Sequence, residues 1–204
     1  MKLIKTACLS ALLGALFSTT VLAGDAAAGK AKAASCADCH GAAGNSEIAG
    51  NPKLAGQNEK YLLKQLQDIQ SGERSAPLMA GQLDSFDQRD LADIAAYFVG
   101  QTQTGSAVEE QWLALGRELY RNGNHERGIP SCTGCHGPAG EGNAPAGYPR
   151  IAGQHADYIA QQLRQFSIGA RSNDGEGMAM RAIAERMNEN EIKAVASYAA
   201  GLRP

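Results

Sequence analysis

Aromatic side chains are scarce in this chain, at 5% of 204 residues, with a single tryptophan. A domain so poor in large apolar groups has little from which to build a core, so something other than side chains must help to fill it. Alternating apolar and polar residues of the kind a half-buried strand requires are absent, which excludes a sheet protein. Basic runs are absent too, and the formal net charge is −2. A nucleic-acid-binding surface needs the opposite balance, so nucleic acid is excluded as a partner. Beyond Ala23 no apolar stretch approaches the roughly 20 residues of a membrane-spanning helix. Glycine, by contrast, is plentiful at 24 residues and points to many tight loops.

The amino terminus carries the one long apolar run. Lys2 and Lys5 precede it, Ala7 to Leu22 is small or apolar and uncharged, and Val21-Leu22-Ala23 ends it on a small residue before Gly24. That order describes a secretory signal peptide, residues 1–23, cleaved after Ala23. A retained anchor is the alternative, but the run is short of a bilayer's width. Membrane association is then at most peripheral. Cys8 leaves with the leader and lies at the wrong end of the run for a lipid-modified cysteine. Removal of Lys2 and Lys5 moves the net charge from −2 to −4. Four cysteines remain in an oxidising compartment: Cys36, Cys39, Cys132 and Cys135. Such a set ordinarily reads as two disulfides. Their spacing argues otherwise.

The mature chain is one unit written twice. Asn51-Pro-Lys-Leu-Ala-Gly-Gln-Asn-Glu-Lys-Tyr61 returns as Tyr148-Pro-Arg-Ile-Ala-Gly-Gln-His-Ala-Asp-Tyr158. The match runs on through Gln65/Gln162, Leu66/Leu163, Gly72/Gly169 and Arg74/Arg171. Upstream, Cys36-Ala-Asp-Cys39-His40 returns as Cys132-Thr-Gly-Cys135-His136; downstream, Leu91-Ala-Asp-Ile-Ala-Ala-Tyr97 returns as Ile192-Lys-Ala-Val-Ala-Ser-Tyr198. Three blocks in one order define a duplicated domain, with polar Gln-Thr-Gln-Thr-Gly-Ser between the copies. The units are residues 24–104 and 105–204, the second with an extra loop near 122–130.

Each copy reads as helices joined by glycine-rich loops, so the fold class is all-α. A helix capped by Asn58 runs to Ser71 and is closed by Gly72, with Leu62, Leu63, Leu66 and Ile69 at helical spacing. Another follows Ser85, with Gln88 as its capping-box partner, and buries Leu91, Ile94, Ala95 and Phe98. The second copy repeats these over 156–167 and 189–200, the latter boxed by Asn188 and Glu191. A helix over 110–121 opens the second unit, and a short one from Asp25 opens the first.

The sequence C-x-x-C-H attaches haem c. Two thiols three residues apart on one turn reach the two vinyl groups on one edge of the macrocycle, and the next residue presents its imidazole to the iron. Cys36, Cys39 and His40 form one such site; Cys132, Cys135 and His136 form the other. Covalent haem also supplies the apolar filling that the composition lacks. A zinc site would need two C-x-x-C pairs in one small domain, and a redox-active dithiol would need a βαβ context. In the first unit the sixth iron ligand is Met79 by elimination, lysine being the remaining candidate. In the second, Met178, Met180 and Met187 compete, and Met180 stands at the same distance from Tyr198 as Met79 from Tyr97. Met187 lies opposite Phe86, a core position, while ligation by Met178 would need a two-residue slip. Methionine opposite histidine raises the potential and closes both axial places, which favours a carrier over an enzyme.

His125 and His155, the histidines outside the two motifs, read as polar surface residues. Pro52 and Pro149 follow the motif histidines by 12 and 13 residues, where a proline carbonyl can accept from the imidazole or the proline can simply shape a loop, and both readings are open. Tyr61, Tyr158, Gln65 and Gln162 share a helix face, where propionate contacts and ordinary packing with a polar tip are both open readings.

These features resemble the cytochrome c4 family, the dihaem bacterial class I cytochromes c. The resemblance spans the mature chain and rests on both motifs, Lys53-Leu-Ala-Gly-Gln57 with Tyr61, Leu62-Leu-Lys-Gln-Leu-Gln-Asp68, Asp90-Leu-Ala-Asp-Ile-Ala-Ala-Tyr-Phe98 and Arg171-Ser-Asn-Asp174. It implies two cytochrome-c-like domains related by a pseudo-twofold axis, with haem propionates toward the interface. It further implies a periplasmic carrier between a cytochrome bc-type complex and a terminal oxidase. A dihaem peroxidase or reductase subunit is the rival from the enzyme class, and a sensory haem module a third reading.

Overall fold

The computed structural model describes residues 24–204; the expected leader and cleavage site lie outside the described residues. In the first half, α1 (Ala26–Lys32) leads to the single turn α2 (Ala37–His40), then to α3 (Glu59–Ser71) and α4 (Gln88–Val99). The second half runs α5 (Glu110–Asn122), α6 (Thr133–His136), α7 (Ala156–Ser167), α8 (Ala179–Ala184) and α9 (Glu189–Gly201). Where α8 stands in the second half, the first has only a 3₁₀ turn, Pro77–Met79. Among the described residues the only β pairing is two isolated bridges, Asn124 to Ile129 and Asn143 to Tyr148.

Local sequence explains most helix starts. Asp25 caps α1 by accepting from the Ala27 and Ala28 N–H groups. Asn188 and Glu191 form the capping box of α9, as the spacing predicts. The start of α4 differs from expectation. Asp87, not Ser85, is the cap, boxed with Asp90 rather than Gln88, because the two carboxylates reach each other's backbone N–H groups at 2.8 and 3.0 Å. Asn58 does begin α3, but its side chain makes no cap; its amide crosses to the Tyr148 carbonyl at 2.7 Å. Gly72, with φ of +84°, closes α3 as expected.

Two helix crossings organise the halves, α1 on α4 and α5 on α9, and each is made at a glycine. A Cβ on Gly29 would lie 1.8 Å from the Asp93 carbonyl oxygen, and one on Gly116 would lie 2.2 Å from that of Ala194. In the first half the crossing is also pinned electrostatically. Buried Asp93 accepts from Lys32 Nζ at 2.6 Å and from the Asp25 N–H at 2.7 Å. In the second half apolar packing takes over. Tyr120, fully buried, stands 5.5 Å ring to ring from Tyr198. The core of the first half gathers Ala33, Leu62, Leu66, Leu91, Ile94 and Phe98; that of the second gathers Tyr120, Leu163, Phe166, Ile192, Val195 and Tyr198.

The extra loop of the second half is folded back, not loose. Asn124 and Ile129 exchange backbone bonds at 2.8 and 2.9 Å, Ile129 is buried, and Arg127 pairs with Glu191 at the start of α9. The linker is held by Lys53, whose ammonium donates to the Thr104 carbonyl at 2.8 Å, the Ser106 hydroxyl at 3.2 Å and the Gly153 carbonyl at 3.1 Å. Burial lowers the Lys53 pKa, since neutral oxygens replace water around it.

The two halves meet through a reciprocal polar network. Arg74 donates to Tyr158 Oη at 2.9 Å and Gln162 Oε1 at 3.1 Å; Arg171 donates to Tyr61 Oη at 3.1 Å and Gln65 Oε1 at 2.8 Å. Tyr61, Tyr158, Gln65 and Gln162 thus serve the interface between the halves, through the arginine that follows the equivalent helix of the opposite half.

The close crossing at Gly116 makes a direct prediction. Gly116→Ala overpacks the α5–α9 contact and costs about 1–3 kcal/mol of stability. Gly177→Ala, where nothing lies within 4 Å of the added methyl, stays within about 0.5 kcal/mol of the parent. Guanidinium unfolding followed by circular dichroism separates the two outcomes.

Candidate haem sites

Each C-x-x-C-H motif occupies a single helical turn that begins at its first cysteine. Cys36 and Cys132 cap α2 and α6, His40 and His136 end them, and Gly41 and Gly137, at φ of +78° and +76°, stop the helix there. One turn brings both thiols and the imidazole to the same region, which the spacing requires. Among the described residues no two cysteines pair as a disulfide. Cys36 and Cys132 are half-buried against the two apolar clusters, and Cys39 and Cys135 are exposed. Burial pushes the Cys36 thiol up, and the Cys132 thiol up to about 11.

The imidazoles are oriented by the chain itself. His40 Nδ1 lies 2.8 Å from the Pro52 carbonyl oxygen, and His136 Nδ1 lies 3.0 Å from that of Pro149. A carbonyl can only accept, so Nδ1 carries the proton in both rings and Nε2 presents its lone pair. Desolvation lowers both imidazole pKa values, outweighing the stabilising carbonyl, so both rings are neutral near pH 7. Neutral imidazole with a tethered Nδ1–H and a free Nε2 is the donor an iron requires. The donor set in each half, two thiols and one such imidazole on a single turn, fits haem c.

The methionines fall in distinct settings. Met79 packs against the first core, which Cys36 also touches, and Met180 against the second, which Cys132 also touches. Met187 joins the second core at the place that Phe86 takes in the first. Met178 is 51% exposed and caps α8 with φ of +46°, the one non-glycine residue in left-handed backbone among the described residues. His125 is exposed. His155 departs from the surface reading: its Nε2 lies 2.8 Å from the Ser46 carbonyl of the opposite half, and burial lowers its pKa.

Sequence reasoning missed Gln57 and Gln154. Both are buried, and each side chain bonds the backbone of the residue that follows the other half's proline. The repeated Ala-Gly-Gln was the available signal, but a repeat alone does not say across which surface it acts.

The described residues contain no helix long and apolar enough to cross a membrane. The Cytochrome c family model matches this chain twice, over residues 26–101 and 113–202. Cytochrome c4 of Azotobacter vinelandii is 53% identical over 189 residues, covering 88% of this chain and 90% of the relative. A protein of Stutzerimonas stutzeri named as a thiosulfate dehydrogenase electron acceptor is 38% identical, covering 83% of this chain and 80% of its own length. The crystal structure of reduced recombinant cytochrome c4 from Pseudomonas stutzeri superposes with a TM-score of 0.87 at 46% identity, covering 89% of this chain and all of that one. Two motifs on matched turns, two family-model matches and full-length relatives converge: the chain belongs to the cytochrome c4 branch of the cytochrome c family, electron-transfer proteins with two covalently attached haems c.

Proposed function

We propose that this protein is an exported, periplasmic carrier of a respiratory chain, taking electrons from a cytochrome bc-type complex and delivering them to a terminal oxidase through two His/Met-ligated haems. The observation that supports this reading is a half-buried methionine at the matched place on each core, Met79 on the core that Cys36 touches and Met180 on the core that Cys132 touches, with Met187, the other methionine there, standing where Phe86 stands in the first half. With His40 and Met79 on one iron and His136 and Met180 on the other, neither iron keeps a place for peroxide or another small substrate. Each haem c, when bound, supplies an iron that gains and loses one electron. The polypeptide's part is to fix ligand orientation, exclude water from the macrocycle faces, and hold the two halves together. Residues 24–104 and 105–204 serve as the two carrier units, with residues 1–23 as the export leader.

A second reading of the donor has a specific observation behind it. The 38% identical relative is named for accepting electrons from thiosulfate dehydrogenase, so such an enzyme is a candidate donor here also. Stopped-flow mixing of the oxidised holoprotein with each purified donor, then of the reduced form with a terminal oxidase, decides between them. The respiratory reading requires fast reduction by the bc-type complex and fast oxidation by the oxidase; sluggish exchange with both overturns it.

Two further outcomes follow from the ligand assignment. Denaturing mass spectrometry of the exported protein gives the chain from Gly24 to Pro204 plus two haem masses. A single haem, or an intact disulfide, contradicts the pairing of motifs with cofactors. Met180→Leu preserves bulk and removes the sulfur, so the ferric thioether-to-iron charge-transfer band falls to about half and the second haem's potential drops. If Met178→Leu halves that band and Met180→Leu leaves it whole, Met178 is the ligand.

A further inference from the structure

The peptide group behind each motif histidine is bonded on both sides, and the two sides belong to different halves of the molecule. The Pro52 carbonyl accepts from His40 Nδ1 at 2.8 Å, while the N–H of the same peptide, on Lys53, donates to Gln154 Oε1 at 2.9 Å. The other half repeats the arrangement. The Pro149 carbonyl accepts from His136 Nδ1 at 3.0 Å, and the Arg150 N–H donates to Gln57 Oε1 at 2.8 Å. Both glutamines are held rigidly. Each Nε2 returns a bond to the next carbonyl, Lys53 O or Arg150 O, at 2.9 Å, and each Oε1 also accepts from the following residue's N–H. They are 8% and 4% exposed, so water does not compete for these bonds.

We propose that Gln57 and Gln154 are positioning residues that tune the reduction potential of the haem in the opposite half, through the Pro149–Arg150 and Pro52–Lys53 peptide groups. Hydrogen bonds in series polarise one another. An acceptor on the peptide N–H shifts amide electron density toward the carbonyl oxygen, which then draws harder on the imidazole Nδ1–H. The ring becomes a stronger donor at Nε2, and a stronger donor favours ferric iron and lowers the potential. Gln154, in the second half, therefore acts on the first haem, and Gln57, in the first half, acts on the second. A series bond strengthened by about 10–30%, reckoned on the full strength such a bond has in an apolar surrounding, corresponds at its low end to roughly threefold in the one-electron equilibrium. The proposal rests on His40 and His136 being the iron ligands.

The test is a crossed one on the two-haem holoprotein. Gln154→Met keeps volume and removes the acceptor. The first haem then becomes easier to reduce by roughly threefold, about 28 mV at 59 mV per tenfold, and the second changes less. Haem methyl resonances of partly oxidised protein assign each potential to its haem. In the fully reduced protein the His40 Nδ1–H resonance moves upfield and that of His136 stays. Gln57→Met gives the mirror result on the second haem and His136. A shift on the variant's own half, or equal shifts on both haems, reduces these glutamines to interface clamps and overturns the proposal. Should the methionine variants fail to fold, Gln154→Glu retains an acceptor and adds charge at the Lys53 N–H; the first haem must then become harder to reduce relative to the second. A shift of the opposite sign refutes the relay. The wild-type reduced spectrum tests ligation separately, because only an axial imidazole has its carbon-bound ring protons carried far upfield by the haem ring current.

Discussion

Buried polar groups must find partners, and in this molecule many of them find those partners only across the interface between the halves. Arg171 is 5% exposed and bonds to neutral oxygens alone: Tyr61, Gln65, Gln162 and Asn173. Arg74 stands in the mirrored position on Gln65, Tyr158 and Gln162. A buried donor or acceptor left unmade costs about 1–3 kcal/mol, more when it is charged. Docking the halves buries two guanidinium groups, four glutamines and the backbone after each proline, and among the described residues no buried side-chain nitrogen or oxygen is left without a partner. Two small domains that each lack a large side-chain core are therefore joined into one unit by polar bonds they cannot satisfy alone.

The duplication is faithful where geometry is shared and free where it is not. Gly29 and Gly116 both sit under a helix carbonyl, because two helices can approach so closely only where neither has a Cβ in the way. Around that fixed crossing the copies diverge. Asp93, held by Lys32, occupies the place that Ala194 takes in the second half. The second half instead fills its core with Tyr120, whose hydroxyl reaches the Gly137 carbonyl at 2.7 Å. Asn173 adds a third departure, bonding to Gln65 and Asp68 of the first half at 2.9 and 2.6 Å, where Ala76 offers no such group. The two halves are thus related but unequal.

Each motif turn is oriented from outside itself. The thiols and imidazole are set by one turn of helix, but the ring angle is set by a proline carbonyl twelve or thirteen residues downstream, and that proline's peptide is set by the other half. Imidazole orientation and the docking of the halves are consequently parts of one hydrogen-bonded chain.

The sequence by itself determined whatever depends on local spacing. C-x-x-C-H gave both attachment sites, because two thiols and an imidazole must share one turn. The apolar periodicity of Leu91, Ile94, Ala95 and Phe98 gave a buried helix face, and the repeat gave two domains. Only the tertiary structure decided where polar side chains with several possible partners would go. Asn58, which spacing offers as a cap, spends its amide on Tyr148; His155, polar and unassuming in sequence, bridges to Ser46. Gln57 and Gln154 look like any repeated glutamines until the halves dock. The physical reason is common to all of them: a hydrogen bond is short and directional, and a partner nearly a hundred residues away becomes available only when the fold brings its backbone within reach.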